Sequence, residues 1–156
     1  MRMRSATERL IGVLAFLMVV GWASQAHAQL AVGTTWLRTD EAGKGIVLNV
    51  EACCHGGLRL VYHLPGMGGK PASTMSIDSP MNGTEAPVLI GGKPSAETMA
   101  ITRVDDHHLT AVLKMNGQLF ATYNGTISAD NKSMTVDGVS GRGSQAQKLT
   151  ETWVRK

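Results

Sequence analysis

The sequence predicts an all-β fold: an antiparallel up-and-down β-barrel of eight to ten strands, with a β-sandwich as the runner-up. Three observations carry this. After Gln29 the chain is built of short runs that alternate apolar and polar residues, each ended by Gly, Asn, Asp or Pro, and no window of about 11 residues shows a helical apolar period. Asn116-Gly117 separates two such runs, and Asn-Gly is the dipeptide that a type I′ hairpin turn selects, because both central residues need positive φ. The links between runs are short, so neighbours in sequence should pair antiparallel, and closing the sheet removes its exposed edges. Frequent glycine, 18 of 156 residues, and few aromatics, 4%, fit a chain of turns and short strands.

Taken in order, Thr34–Arg38 reads as a first strand around Trp36, followed by the polar turn Asp40–Lys44. Gly45–Cys53 alternates, with Ile46, Leu48, Val50 and Ala52 on one face. Cys54-His55-Gly56-Gly57 reads as the next turn, and Leu58–Leu64 returns with Leu58, Leu60, Tyr62 and Leu64 together. Pro65–Ser95 holds all five prolines and is the least regular part, with short strands at Ser73–Asp78 and Pro87–Ile90 between turns; proline confines such strands to edges, starts or bulges. Thr98–Val104, Leu109–Met115, Gln118–Ile127 and Ser133–Asp137 form a meander. Leu109, Ala111, Leu113 and Met115 line one face going in, and Leu119, Ala121, Tyr123 and Ile127 one face coming out. Gly138–Gln147 reads as a loop or weak strand, and Lys148–Arg155 closes the chain with Leu149, Glu151 and Trp153 on one face.

The N-terminus reads differently. Arg2, Arg4 and Arg9 precede the apolar run Leu10–Trp22 and the small-x-small pattern Ala26-His27-Ala28. That is a secretory signal peptide, residues 1–28, cleaved after Ala28 to leave one β-barrel domain at 29–156. The expected location is periplasmic or secreted, with no membrane attachment after cleavage. Cleavage removes three of the 15 basic and one of the 12 acidic residues, so the formal charge of +3 falls to +1. No basic cluster remains, which argues against a nucleic-acid partner.

Asn82–Val88, Glu97–Asp106, Gly125–Val136 and Thr152-Trp153-Val154 resemble stretches of a group of small exported bacterial proteins of calycin-like, or lipocalin-like, β-barrel type. Gly33-Thr34-Thr35-Trp36 is similar to the lipocalin Gly-x-Trp start with one residue more. The resemblance implies a barrel whose first-strand tryptophan packs across the closed end under a basic side chain, here Arg155 or Arg103.

Chemistry-bearing clusters are few. Cys53-Cys54-His55 contains both cysteines, and four readings stay open: a vicinal disulfide, a soft-metal site with His55 and His63, intermolecular pairing, or two unpaired thiols. Four ligands at tight spacing are not visible. Asp105-Asp106-His107-His108 offers carboxylate beside imidazole, but strand alternation would split such neighbours across two faces, and Asp favours turns. Asn82-Gly83-Thr84 and Asn124-Gly125-Thr126 match the glycosylation sequon and read as turn chemistry. Met67, Met75 and Met81 flank the proline-rich part, where they would make an adaptable mouth. No nucleotide-binding, nucleophile-elbow or zinc-hydrolase motif is present.

The resulting expectation is a non-catalytic barrel, without a cofactor, that holds a small hydrophobic ligand. The candidate ligand-binding residues are Leu48, Leu60, Tyr62, Met99, Leu113, Tyr123 and Trp153, with Val50, Ile101 and Leu119 also expected inward. The alternatives are an envelope or secreted protein-binding or inhibitor module using Pro65–Ser95, and a redox or metal-binding protein acting through Cys53-Cys54-His55.

Overall fold

The structure is a computed structural model that describes residues 29–141 and 143–156. The expected leader, residues 1–28, lies outside the described residues. The strands are β1 (Thr35–Arg38), β2 (Val47–Cys53), β3 (Gly57–Leu64), β4 (Ser73–Ser79), β5 (Asn82–Ile90), β6 (Lys93–Arg103), β7 (His108–Met115), β8 (Gln118–Ile127), β9 (Ser133–Ser140) and β10 (Gln147–Arg155). Each pairs antiparallel with its sequence neighbour, and four-residue β1 pairs with both β2 and β10, closing an up-and-down barrel.

Closure is set by register. Trp36 sits opposite Leu48 on one side and Arg155 on the other, and Arg38 sits opposite Trp153. Opposed residues share a face of the sheet, so Trp36, Arg38, Leu48 and Trp153 share the inner one. Leu30 seals the same end, buried with Trp36, Val50 and Leu58. The Trp36 indole N–H donates to Thr34 Oγ1 at 3.1 Å, and the Thr34 hydroxyl donates to the Ala31 carbonyl at 2.7 Å, so this plug has its polar atoms satisfied.

The turns follow their residues. Asn116 and Gly117 have φ of 51° and 74°, the pair of positive values that the Asn-Gly turn requires. The proline-rich region is more regular than its sequence suggests, because Gly91 and Gly92 (φ 56° and 78°) make a second two-residue hairpin turn between long β5 and β6. Pro87 is tolerated because it lies at a register shift, between Pro87 and Leu89. The segment Gly138–Gln147 is mixed: β9 runs on to Ser140, a 3-10 turn spans Gly143–Gln145, and β10 begins at Gln147.

Two expectations are corrected. Leu119 points outward and is 54% exposed. Leu113 pairs with Ala121, yet Lys114 pairs with Leu119, so Phe120 is an extra residue in β8 that reverses the alternation before Ala121. Asn124-Gly125-Thr126 is not a turn but lies inside β8, with Asn124 opposite Thr110 and Asp137.

The interior divides into two packed clusters. One contains Leu30, Trp36, Leu48, Val50, Leu58, Leu60, Met81, Ile101, Ile127, Met134 and Trp153. The other contains Ile77, Ala86, Val88, Leu113 and Ala121. Tyr62 and Met99 touch both.

Candidate functional site

A cavity of about 230 Å³ lies inside the barrel. Its wall draws on every strand except β5, whose inward Ala86 and Val88 belong to the second cluster. Leu48, Leu60, Tyr62, Met99, Tyr123 and Trp153 line it, as do Ile101 and Met75. Leu113 does not: it belongs to the second cluster, buried with Ile77, Val88 and Ala121. The methionine mouth does not form either. Met75 faces the cavity, whereas Met81 is buried in the first cluster and Met67 is 64% exposed.

Small residues make room for large ones. Ala111 and Gly125 line the cavity directly. Gly138 is opposite Tyr123 in the β8–β9 register, and a β-carbon there would come within 2.7 Å of the Tyr123 ring. A bare backbone at that position lets the ring lie against the strand. Tyr62 meets Trp153 edge to face, with centroids 6.0 Å apart and an interplanar angle of 67°.

The charged groups of the wall sit at one place. Arg38 and Glu151 both line the cavity. The Arg38 guanidinium donates through Nε to Asp40 Oδ1 at 2.7 Å and through Nη2 to Asp40 Oδ2 at 2.9 Å, a two-pronged match. Its Nη1 donates to Glu151 Oε1 at 3.0 Å, and the Trp153 indole N–H donates to Glu151 Oε2 at 3.1 Å. The Thr152 amide also donates to Asp40, at 3.2 Å. Arg38 lies 5.9 Å from the centroid of Trp153. Gly43, in the 3-10 turn Glu41–Gly43, has no side chain where the guanidinium passes; a β-carbon there would overlap Arg38. The side chains of Arg38, Asp40 and Glu151 are only 16%, 16% and 20% exposed.

The two carboxylates of this triad behave differently. The hydrogen bonds from Arg38 hold Asp40 down at about 2. Burial pushes Glu151 up, against the opposing pull of Arg38 and Trp153. Burial also raises both tyrosines, and Glu151 adds to that rise.

The other sequence-derived clusters are structural. Cys53 and Cys54 form a vicinal disulfide in the β2–β3 turn, where Cys54 and His55 have φ of 43° and 51°. Neither histidine joins them: His63 Nε2 is hydrogen-bonded to Asn49 at 3.1 Å, and the third potential ligand atom near the sulfurs belongs to Asp78, which receives the Arg59 fork at 2.6 and 2.8 Å. Asp105 Oδ1 caps the β6–β7 turn, accepting the His107 and His108 amides at 2.7 and 2.8 Å. Of the two arginines suggested for the closed end, Arg155 is opposite Trp36, while Arg103 has a buried Nε without a hydrogen-bond partner among the described residues.

Sequence reasoning missed Arg38, Asp40 and Glu151 as a unit. The signal was present: Arg38 is two residues from Trp36, and Glu151 two from Trp153, so alternation alone turns both charges inward. A scan against family models and searches of the curated proteins and of the solved structures return no match.

Proposed function

We propose that the protein is an exported, non-catalytic carrier or sensor that holds one small, mainly apolar ligand inside the barrel. The observation that carries this is the cavity itself: about 230 Å³, walled mainly by aliphatic side chains and three aromatic rings, with its charged groups gathered at Arg38 and Glu151. Pockets of this make-up, apolar with a few convergent polar groups, are the usual form of a ligand site. A dry apolar void of ~150 Å³ takes a benzene, so by proportion this one takes roughly nine non-hydrogen atoms. That size favours short-chain or single-ring compounds over long fatty acids and retinoids. Export is supported by the leader pattern of residues 1–28, and a disulfide fits an oxidising compartment. The closed barrel suits the calycin-like grouping that the sequence resembles.

The test is titration with 1-octanol, which has the right size, following intrinsic tryptophan fluorescence (Trp36 and Trp153) and thermal unfolding. Saturation at about 100 times Kd should stabilise by about 2.7 kcal/mol. Ala111→Phe, which fills the cavity from β7, should abolish both signals while the barrel still folds. Octanol that leaves emission and melting unchanged would end the reading.

A second reading rests on the disulfide. Reduced, Cys53 and Cys54 with Asp78 would offer three ligand atoms to a soft metal. Zinc should then stabilise the thiol-reduced protein and not the oxidised one; equal melting with and without zinc after reduction would exclude it.

A further inference from the structure

Resting on the binding reading above, we propose that the cavity selects an organic cation: an ammonium group on an apolar body of single-ring size. The rings of Tyr62, Tyr123 and Trp153 border one space, and ring faces attract cations through their quadrupoles, most strongly where water is excluded. The charges beside them do not balance. Arg38 brings one positive charge, Asp40 and Glu151 bring two negative ones. Both oxygens of Asp40 are occupied by the Arg38 fork, so the Asp40 charge is matched within that pair. Glu151 receives one N–H on each oxygen, from Arg38 and from Trp153, which leaves lone-pair capacity on a carboxylate that borders the cavity.

The competing ligand class is an organic anion, held by Arg38 and the two phenols. Charge decides against it. An incoming carboxylate would meet a guanidinium already engaged by two carboxylates, and would add a third negative charge to a partly buried cluster. An ammonium group instead supplies the missing positive charge, donates to Glu151 and lies among three rings. The phenol hydroxyls of Tyr62 and Tyr123 add neutral hydrogen-bonding groups to the same wall. The groups facing Glu151 are Arg38 and Asp40 from the β1 side, Tyr62 on β3 and Tyr123 on β8, while its register partner on β9 is Val136. None of these supplies a second cation. Burial, which favours the neutral acid of Glu151 in the empty barrel, is opposed once a cation sits beside it.

Three probes of nearly equal size separate the classes: 2-phenylethylamine, 2-phenylethanol and phenylacetate. Each is titrated calorimetrically into the processed wild-type protein at pH 7. The amine is expected to bind at least tenfold more tightly than the alcohol, and phenylacetate more weakly than either. Glu151→Gln should remove the amine's advantage over the alcohol. Alcohol or phenylacetate binding as tightly as the amine would overturn the cation proposal while leaving a cavity binder in place. Binding of none of the three, together with a null octanol titration, would sink both readings. The comparison on wild type does not depend on the variant folding.

Discussion

The two interior clusters use the same kinds of residue but finish differently. Ile77, Val88, Leu113 and Ala121 pack on one another, and none of them lines the cavity. Around Leu48, Leu60, Tyr62 and Trp153 a cavity remains, with a guanidinium and a carboxylate at its edge. The strands explain part of the difference. Register shifts interrupt β5–β6 at Asn82/Glu85 and Pro87/Leu89 and β7–β8 at Leu113/Lys114, the latter two next to the sealed cluster. Bulges bend a strand and increase its twist. The β2–β3, β8–β9 and β9–β10 ladders run without interruption, and Gly125 lines the cavity without a side chain.

The largest expected effect breaks the sealed side. Leu113→Ala removes a side chain that is 8% exposed in a filled cluster, and should cost about 3 kcal/mol in urea unfolding. Leu109→Ala, on the cavity wall, should cost roughly half of that, because its side chain is partly buried and already borders empty space. Equal costs would show that the two sides are packed alike.

Next is Arg38→Leu, which leaves Asp40 and Glu151 without their shared cation. Breaking a fully buried ion pair costs about 3–5 kcal/mol; these side chains keep 16–20% exposure, so about 2 kcal/mol is expected. Gly43→Ala should reproduce part of this loss by displacing the guanidinium. If both variants unfold with wild type, the triad contributes nothing to the cavity end.

The smallest effect is a pair of opposed pH dependences. Asp40 titrates near 2, below its ordinary 3.8, so the stability it contributes is complete above about pH 4 and is lost as pH falls toward 2. Glu151 is shifted above its ordinary 4.5, so the stability linked to its proton is complete below that value and is lost as pH rises through the raised one. Asp40→Asn should therefore converge on wild type at low pH. Glu151→Gln should gain on wild type as pH rises above 4.5. Parallel stability curves for all three proteins would contradict the opposite environments assigned to the two carboxylates.

Much of this architecture was legible in the sequence, and the exceptions are physical. Alternation placed Leu48, Leu60, Tyr62 and Trp153 on inner faces, and Asn116-Gly117 set the central hairpin. Leu119 was misplaced because a bulge at Phe120 changes phase without any residue that announces it. Leu113 was correctly turned inward, but alternation cannot say which part of an interior is filled. Pro65–Ser95 looked irregular because proline dominated the reading, although Gly91-Gly92 carries its own turn signal. The triad is less legible for a different reason: alternation puts Glu151 on the face of Trp153 and Arg38 on that of Trp36, but only closure of β1 against β10 brings the two charges together.

The central claim is that the barrel holds an accessible void beside Trp153 rather than a filled core. A crystal of the processed protein pressurised with xenon tests it directly, since xenon occupies dry apolar cavities. Xenon density among Tyr62, Met99, Tyr123 and Trp153, with none among Ile77, Val88 and Leu113, is the expected result. Side chains packed across that space, with no xenon inside the barrel, would contradict it.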